Sequence, residues 1–296
     1  MSFLSVTDKT PGQLADLVEL GLDVKRNPER YRTALAHKSV GLFFAKQSLR
    51  TQVSCDIACA ELGAHSLIIS NDQTGLGTRE SPEDVGRVLD RYVDLLGMRV
   101  YSHSVLEAVG ASMDTPVVNL LSDREHPCQA VADLMTVAEH RPLAGATVAF
   151  VGDGNNVCHS LMLAVTMTGG SFRAVAPAGY EPSEEFIAMA SAHGPVLVTN
   201  NVKQALEGAD AVYTDVWTSM GQEAEKAERL RQFEDYRVDE ALFALAAPDA
   251  IFMHCLPAHR GEEVTDGVMD HPRSRVFDQA ENRLHSFKAV LLDQLG

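Results

Sequence analysis

The chain has 296 residues, of which 45% are hydrophobic and 22% charged, a composition typical of a globular protein with a substantial core. Its 25 Lys and Arg against 41 Asp and Glu give a formal net charge of −16, which argues against nucleic-acid binding. No apolar run reaches the roughly 18 residues of a membrane helix, the first ten residues do not resemble a secretory signal, and the five cysteines contain no Cys-x-x-Cys pair, so we expect a cytoplasmic protein with reduced thiols.

Short β-branched or aromatic runs alternate with helical patterns, which predicts βα units and parallel sheets. The nine predicted strands are VGLFF, SLIIS, MRVYS, PVVNLL, TVAFVG, FRAVAP, PVLVT, AVYTDV and AIFMHC. Since an average sheet has roughly five or six strands, nine strands favour two sheets. The joint is expected in EHRPLAGAT (139–147), where a helix ends and turn residues precede a new strand.

Two further segments have helical patterns. In 81–97, Ser81 is a candidate cap, Pro82 fits the first turn, and apolar positions through Leu96 fall on one face, which predicts one packed helix. The segment GQEAEKAERLRQFEDYR (221–237) mixes both signs of charge and predicts a solvated helix or loop.

The segment SLRT (48–51) lies where an apolar strand gives way to an amphipathic helix. Free backbone N–H groups and the positive end of the helix dipole would meet a ligand there, and Arg50 and Thr51 add a charged fork and a hydroxyl. These features predict a phosphate site. Taken alone, the segment also fits a capped helix whose Arg50 makes a surface salt bridge.

Three more residues of the first half could bind a ligand. Arg99 lies in GMRVYS, around the third predicted strand, and ligands of α/β proteins gather at the C-terminal side of the strands. His126 precedes a proline that fits a helix N-terminus, so His126 and Gln129 would share the first turn. A neutral imidazole there can donate to a carbonyl oxygen, although each of these residues alone also fits a structural role.

The second half contains a glycine-rich turn and a carboxylate loop. Gly152-Asp153-Gly154 lacks the third glycine of a dinucleotide site, which leaves Asn156 as a polar group at a strand tip. Asp215 and Ser219 suit an α-amino acid, because a carboxylate can pair with the ammonium while a hydroxyl and loop amides bind the acid group. Turn formation is the alternative explanation of that loop.

The segment FMHCLPAHRGEE follows another strand and offers His254, Cys255 and His259. Their spacing matches no zinc pattern, and adjacent residues of a strand point to opposite faces. We therefore expect no metal site.

Together these segments resemble the aspartate/ornithine carbamoyltransferase family. The matching stretches, in family order along nearly the whole chain, are FAKQSLRTQ, HPCQAVADL, GDGNNVCHSLM, TDVWTSMGQE, HCLPAHRGEEVTDGVMD and AENRLHSFKAVL. The resemblance implies an α/β fold of two doubly wound domains, each with a mainly parallel sheet flanked by helices. It implies a carbamoyl-phosphate domain at 1–140, completed by a C-terminal helix at 280–296 that packs back on it, an ornithine domain at 141–279, and a homotrimer.

The implied activity is carbamoyl transfer from carbamoyl phosphate to the δ-amine of L-ornithine, giving citrulline and phosphate in arginine biosynthesis. The implied carbamoyl-phosphate contacts are Ser48, Leu49, Arg50, Thr51, Arg99, His126, Gln129, Cys255, Leu256 and Arg283. Of these, the implied catalytic residues are Arg50, Arg99, His126, Cys255 and Arg283. The implied ornithine contacts are Asn156, Asp215, Ser219 and Met220. No cofactor or metal is implied, because the departing phosphate can take the proton.

Three positions depart from the usual family pattern. Leu49 replaces a threonine, Gln52 an arginine, and Gly75 a glutamine or histidine. With each lost contact worth about 1 kcal/mol, we expect weaker donor binding. Two alternatives stay open: a carbamoyltransferase for another amino-acid-like amine, and a non-catalytic regulatory paralogue.

Overall fold

The computed structural model describes residues 2–71, 75–218 and 223–296. The chain divides into two compact units, the first formed by Met1–Met135 with Glu281–Gly296 and the second by Thr136–Ala280. Each unit contains one parallel sheet flanked by helices. The prediction of two parallel-sheet α/β domains is confirmed.

Nine strands occur in the described residues, at the places where the apolar runs predict them. They are β1 Ser39–Phe44, β2 His65–Ser70, β3 Leu95–Arg99, β4 Val117–Leu121, β5 Thr147–Val151, β6 Ser171–Val175, β7 Val196–Thr199, β8 Ala211–Thr214 and β9 Ile251–His254. Among the described residues, the α-helices of the first unit are α1 Pro11–Arg26, α2 Leu49–Glu61, α3 Pro82–Leu89, α4 His103–Ala111 and α5 Pro127–Ala138, the last of which extends into the second unit. The second unit has α6 Asn156–Met167, α7 Glu184–Ser191, α8 Val202–Leu206, α9 Lys226–Gln232, α10 Glu240–Phe243 and α11 Asp266–Met269, and α12 Val276–Leu295 runs from it into the first unit. Within these described stretches, no helix is both long and apolar enough to span a bilayer.

The sheet of the first unit has the order β2-β1-β3-β4 with all neighbours parallel. The order reverses between β1 and β3, and the last residue of β1, Phe44, lies opposite Arg99 at the end of β3. Crossover connections leave on opposite sides of the sheet at such a point, which opens a crevice beyond the carboxyl ends of the strands. Residues 45–51 and the Arg99 side chain therefore belong to one crevice.

The sheet of the second unit has the order β7-β6-β5-β8-β9, again parallel throughout. Its order reverses between β5 and β8, where Val151 lies opposite Thr214. The chain after β5 is the glycine-rich turn 152–155, and the residue after β8 is Asp215. The second crevice thus lies between the two segments that the sequence singles out in this half of the chain.

Helix α12 attaches its C-terminal part to the first unit. The buried Lys288 pairs with Glu61 at the end of α2, and Ser286 Oγ donates to the Cys128 carbonyl of α5 (3.2 Å). The apolar residues of this part, Phe287, Ala289, Val290 and Leu291, are also buried. The expected packing of a C-terminal helix on the first unit is confirmed.

The predicted helix 81–97 is wrong in its second half. Helix α3 ends at Leu89, Tyr92 is 71% exposed, and Leu96 lies buried in β3, which begins three residues before the predicted MRVYS. Asp90 explains the break, because its carboxylate accepts from the backbone N–H of Asp114 (3.0 Å) and Thr115 (2.8 Å) and fixes a turn. A tertiary contact, invisible in the local pattern, ends the helix.

Gly154 allows a close approach of two backbones in the second unit. A Cβ on Gly154 would lie 2.1 Å from the nitrogen of Pro182 and 2.4 Å from the carbonyl carbon of Glu181, and backbone atoms cannot turn aside as a side chain can. We expect Gly154→Ala to lower the free energy of unfolding by about 1–3 kcal/mol, measured by urea denaturation. The control is Gly12→Ala, where a Cβ has nothing within 4 Å. Equal unfolding midpoints for the two variants would contradict the close approach.

Candidate active site

The N-terminus of α2 is arranged to receive an anion. Ser48 occupies the cap position with extended backbone, but its hydroxyl makes no bond to the N–H groups of the first turn. Ser48 Oγ instead donates to Thr51 Oγ1 (3.0 Å). The Ser48 hydroxyl therefore does not cap the first turn, where the positive end of the helix dipole would favour an anion.

Two buried arginines converge on the Thr51 hydroxyl. Arg99 Nη1 donates to Thr51 Oγ1 at 3.3 Å, and Arg283 Nη2 donates to the same oxygen at 2.6 Å. Thr51 is only 2% exposed, so two guanidinium charges approach each other where water screens them little. Arg50, half-buried on the same turn of α2, adds a third positive charge. The first unit thus contains a positive pocket that suits a phosphate.

A donor and an acceptor for an amide-like group lie in the same unit. Burial, followed by the charges of Arg283 and Arg99, holds the pKa of His126 well below its usual range, so its imidazole is neutral near neutral pH. The buried Gln129 donates through Nε2 to Asp133 Oδ1 (2.8 Å), and within the described residues its carbonyl Oε1 has no hydrogen-bond donor. A neutral imidazole can donate to a carbonyl oxygen, and Gln129 Oε1 can accept from an NH₂ group.

The thiols beside this pocket are not nucleophiles. Burial raises the pKa of Cys59 and of Cys128 to about 12, and it also raises the pKa of Cys55. Since only the thiolate is reactive, these protonated side chains act as small apolar packing groups.

In the second unit, Asp215 forms a buried carboxylate site after β8. The residue is 7% exposed, and it accepts from Asn155 Nδ2 (2.8 Å), Cys255 Sγ (3.0 Å) and the Val216 N–H (2.8 Å). All three donors are neutral, so they orient the carboxylate without cancelling its charge. This arrangement suits the ammonium group of an amino acid.

Asn155 is the site residue that the sequence interpretation missed. The sequence predicts Asn156 at the strand tip, yet the structure places the amide of Asn155 on Asp215 and makes Asn156 the first residue of α6. Asn155 Oδ1 also caps α6 by accepting from the N–H groups of Val157 (3.0 Å) and Cys158 (3.1 Å). An asparagine directly before a helix is a typical cap. The sequence Asn155-Asn156 before an apolar helix could therefore have identified Asn155 as the cap and a candidate site residue.

The Cys255-Leu256 loop is fixed by His254. The Leu256 N–H donates to His254 Nδ1 (2.8 Å), so the hydrogen of the neutral ring is on Nε2, which lies 3.2 Å from Glu263 Oε1. Asp215, His254 and Cys255 have potential ligand atoms within 4.8 Å of one another. Because both nitrogens of His254 are already engaged, this group does not fit a metal centre.

The predicted site residues separate by unit. Those of the first unit are Ser48, Leu49, Arg50, Thr51, Arg99, His126, Gln129 and Arg283, and those of the second are Asn156, Asp215, Cys255 and Leu256. Hydrogen bonds join Ser48, Thr51, Arg99 and Arg283 in one cluster and Asp215 with Cys255 in another. Leu49 differs from its neighbours, since its side chain is 77% exposed. The predicted residues Ser219 and Met220 lie outside the described residues.

Comparison with known proteins gives matches along nearly the whole chain. The family model of the aspartate/ornithine carbamoyltransferase carbamoyl-P binding domain matches residues 1–139, and that of the Asp/Orn binding domain matches residues 144–293. An ornithine carbamoyltransferase of Parafrankia sp. is 47% identical over 298 residues, which cover 98% of this chain and 94% of the relative. An ornithine carbamoyltransferase of Thermus thermophilus is 48% identical over 287 residues, covering 96% of this chain and 93% of the relative.

Comparison with solved structures leads to the same family as comparison of the sequences. The solved structure of ornithine carbamoyltransferase from Pyrococcus furiosus has a TM-score of 0.94 and 44% sequence identity, covering 98% of this chain and 95% of that chain. The resemblance found in the sequence motifs is therefore confirmed. The chain belongs to the aspartate/ornithine carbamoyltransferase family.

The Thr51 hydroxyl can be removed without changing the side-chain shape by Thr51→Val. We expect this variant to bind inorganic phosphate at least about tenfold more weakly, because Arg99 and Arg283 lose the acceptor that holds them together, and hydrogen bonds of charged groups contribute about 1.5–3 kcal/mol. Isothermal calorimetry measures the affinity. The control is Ser54→Ala on the same helix, whose hydroxyl donates to the Thr51 carbonyl (3.3 Å) and should leave the affinity unchanged. Equal affinity in Thr51→Val would show that the cluster does not bind the anion.

Proposed function

We propose that this chain transfers the carbamoyl group of carbamoyl phosphate to the δ-amine of L-ornithine, giving L-citrulline and phosphate. The observation that carries the proposal is the convergence of Arg99 and Arg283 on Thr51, in the unit that also holds the neutral His126. Carbamoyl phosphate is a mixed anhydride, so its transfer is helped both by positive charge at the phosphate and by a neutral donor to the carbonyl oxygen. Full-length relatives named ornithine carbamoyltransferase support the same activity.

The proposed carbamoyl-phosphate domain is residues 1–140 with 280–296. The N–H groups of Ser48 to Thr51 and the guanidinium groups of Arg50 and Arg99 bind the phosphate, with Leu49 contributing only its backbone. His126 donates to the carbonyl oxygen, where negative charge develops during attack, and Gln129 accepts from the carbamoyl NH₂. Arg283 stabilises the same oxygen.

The proposed ornithine domain is residues 141–279. Asp215 pairs with the α-ammonium of ornithine, and Asn156, Ser219 and Met220 bind the remainder of the amino acid. Cys255 holds Asp215 in place through its thiol. The contacts of Cys255 and Leu256 with the carbamoyl group stay predictions from the family resemblance.

The reaction balances without a protein base, cofactor or metal. The neutral δ-amine attacks the carbamoyl carbon, a tetrahedral intermediate forms, and the bond from that carbon to the phosphate oxygen breaks. The departing phosphate takes the proton lost by the amine. The protein contributes orientation of the two reactants and stabilisation of the developing oxyanion.

A homotrimer is the proposed assembly. Leu49, Val53 and Ile57 form an exposed apolar row along α2, spaced four residues apart. Leu67 and Ile68 of the edge strand β2 are exposed in the same unit. Apolar residues grouped in this way are typical of protein interfaces, and a further copy of the chain in a closed ring is the proposed partner.

We also propose a cytoplasmic location and a role in arginine biosynthesis. Four buried thiols (Cys55, Cys59, Cys128, Cys158) and no disulfide in the described part of the chain suit a reducing compartment. Citrulline is the product whose further conversion would lead to arginine.

Citrulline formation from carbamoyl phosphate and L-ornithine tests the activity. We expect robust turnover with a high KM for carbamoyl phosphate. Leu49→Thr with Gln52→Arg should lower that KM by about thirtyfold, because two restored contacts of about 1 kcal/mol each add about 2 kcal/mol of binding free energy. The KM for ornithine serves as the internal control and should change less than about twofold. No turnover by folded protein would favour another acceptor amine or a non-catalytic paralogue, and a panel of amines read by mass spectrometry would separate these two.

Sedimentation velocity tests the assembly. We expect a trimer for the unmodified chain and dissociation for Val53→Asp with Ile57→Asp, because burying two carboxylates in an apolar interface costs several kcal/mol. Tyr92→Asp is the control, since Tyr92 is 71% exposed and lies outside the α2 row. A trimer in the double variant would exclude this row as the interface.

A further inference from the structure

The charged segment 221–237 contains a buried arginine. The sequence pattern predicts a solvated element, but Arg229 in α9 is only 6% exposed, so that prediction is wrong at this position. Arg229 Nη1 donates to Asp153 Oδ2 (3.0 Å) and to the Trp217 carbonyl (3.0 Å), while its Nε donates to Glu225 Oε2 (3.0 Å). One guanidinium therefore joins the turn after β5, the chain after β8 and the start of α9.

The carboxylate that this guanidinium binds, Asp153, interacts electrostatically with Asp215. Asp153 follows β5 and Asp215 follows β8, and these strands are neighbours at the point where the sheet order reverses. Their charges interact, since Asp215 contributes to raising the pKa of Asp153. Arg229 pairs with Asp153 and Glu225, whereas the donors to Asp215 are all neutral. The two carboxyl groups thus differ in their partners: Asp153 pairs with a guanidinium, whereas Asp215 accepts only from neutral donors.

Aromatic packing fixes the arrangement. Trp217, two residues after Asp215, is buried and stacks on Phe233 with ring centroids 5.7 Å apart. The Arg229 guanidinium lies over the Tyr180 ring, 5.0 Å from its centroid. A cation stacked on a ring and bonded on two edges has little freedom to turn.

We propose that Asp153 and Arg229 are positioning residues for the amino-acid acceptor, because their pair holds the Trp217 carbonyl and hence the neighbouring Asp215 in place. The inference rests on the proposed function, in which Asp215 binds the α-ammonium of ornithine. Without the pair, the buried Arg229 guanidinium lacks its buried counter-charge, and the Trp217 carbonyl to which it donates is held less firmly. The acceptor is then bound more weakly, while the carbamoyl-phosphate residues of the other unit are untouched.

Protonation of Asp153 removes its negative charge and so has the same effect as removing its ion pair with Arg229. Burial raises the pKa of Asp153 to about 6, against the opposing effect of Arg229. The other charged or titratable groups facing it are Asp215, Glu225 and the Cys158 thiol of α6. Asp153 is therefore charged above pH 6 and neutral below it, so acceptor affinity should fall as the pH falls through about 6.

The test uses L-norvaline, an α-amino acid with the three-carbon chain of ornithine but no δ-amine to titrate. Its dissociation constant is measured by calorimetry with saturating carbamoyl phosphate, which it cannot attack. We expect Asp153→Asn to raise this constant and the KM for ornithine by about tenfold or more, the loss expected when a buried charge pair is broken. The KM for carbamoyl phosphate should change less than about twofold. Glu225→Gln, which removes the more exposed partner of Arg229, is the matched control and should leave norvaline binding within about twofold.

The pH profile separates a positioning role from a general loss of structure. In the unmodified chain the norvaline constant should rise as the pH falls from 7 to 5, and in Asp153→Asn it should be high and flat over that range. Arg229→Gln removes the other member of the pair and provides the test if Asp153→Asn does not fold. Arg229→Lys keeps the positive charge and should recover part of the norvaline affinity that Arg229→Gln loses. Unchanged norvaline binding in Asp153→Asn or Arg229→Gln, or identical pH profiles, overturns the inference while citrulline formation still stands. If the unmodified chain binds norvaline but forms no citrulline, the proposed function fails and the binding comparison still decides the role of the pair.

Discussion

Two buried arginines share one hydroxyl, and the first unit is organised around that contact. Arg99 comes from the end of β3, Arg283 from α12, and their common acceptor Thr51 from the first turn of α2. Like charges repel most strongly where water is excluded, so this cluster is stable only because the surrounding elements are fixed by other contacts, such as the pair of Lys288 with Glu61. An anion between the two guanidinium groups would lower the free energy of the cluster, which is the physical reason that the cluster suits one.

In both units the candidate ligand groups lie where the strand order of the sheet reverses, but the charges of these groups are opposite. Each sheet reverses its strand order once, and in each the chain leaving the two central strands supplies the ligand groups. In the first unit these groups are cationic and surround a hydroxyl, whereas in the second a carboxylate is surrounded by neutral donors. The pairing suits a reaction between a phosphorylated donor and a substrate that carries an ammonium group.

The sequence predicted the parts of this fold that depend on short-range patterns. Nine apolar runs locate nine strands among the described residues. Parallel strands covered on both faces are apolar nearly throughout, and the edge strands β2 and β7, although more exposed, still carry β-branched or aliphatic runs. The boundary between α3 and β3 was wrong, since the Asp90 carboxylate that ends the turn has its partners in Asp114 and Thr115, far along the chain. No local pattern contains that information.

For the candidate site too, the sequence predicted the residues that depend on local patterns and missed those that depend on tertiary contacts. Residues at strand ends, such as Arg99 and Asp215, were predictable because topology brings such ends together. The choice of Asn155 over Asn156 as the partner of Asp215 depends on which residue caps α6, a difference of one position. Arg229 was missed because its helix is charged on most sides, and only the tertiary structure shows that one of those charges is buried against Asp153.

The discontinuity of the first unit has a consequence for the order of events during synthesis. Arg283 belongs to that unit but follows every residue of the second unit along the chain. During synthesis on the ribosome, the second sheet can therefore be complete before Arg283, which binds Thr51, has been synthesised. The unit that begins first is therefore completed last, and until α12 is synthesised the surface that will receive its C-terminal part is uncovered.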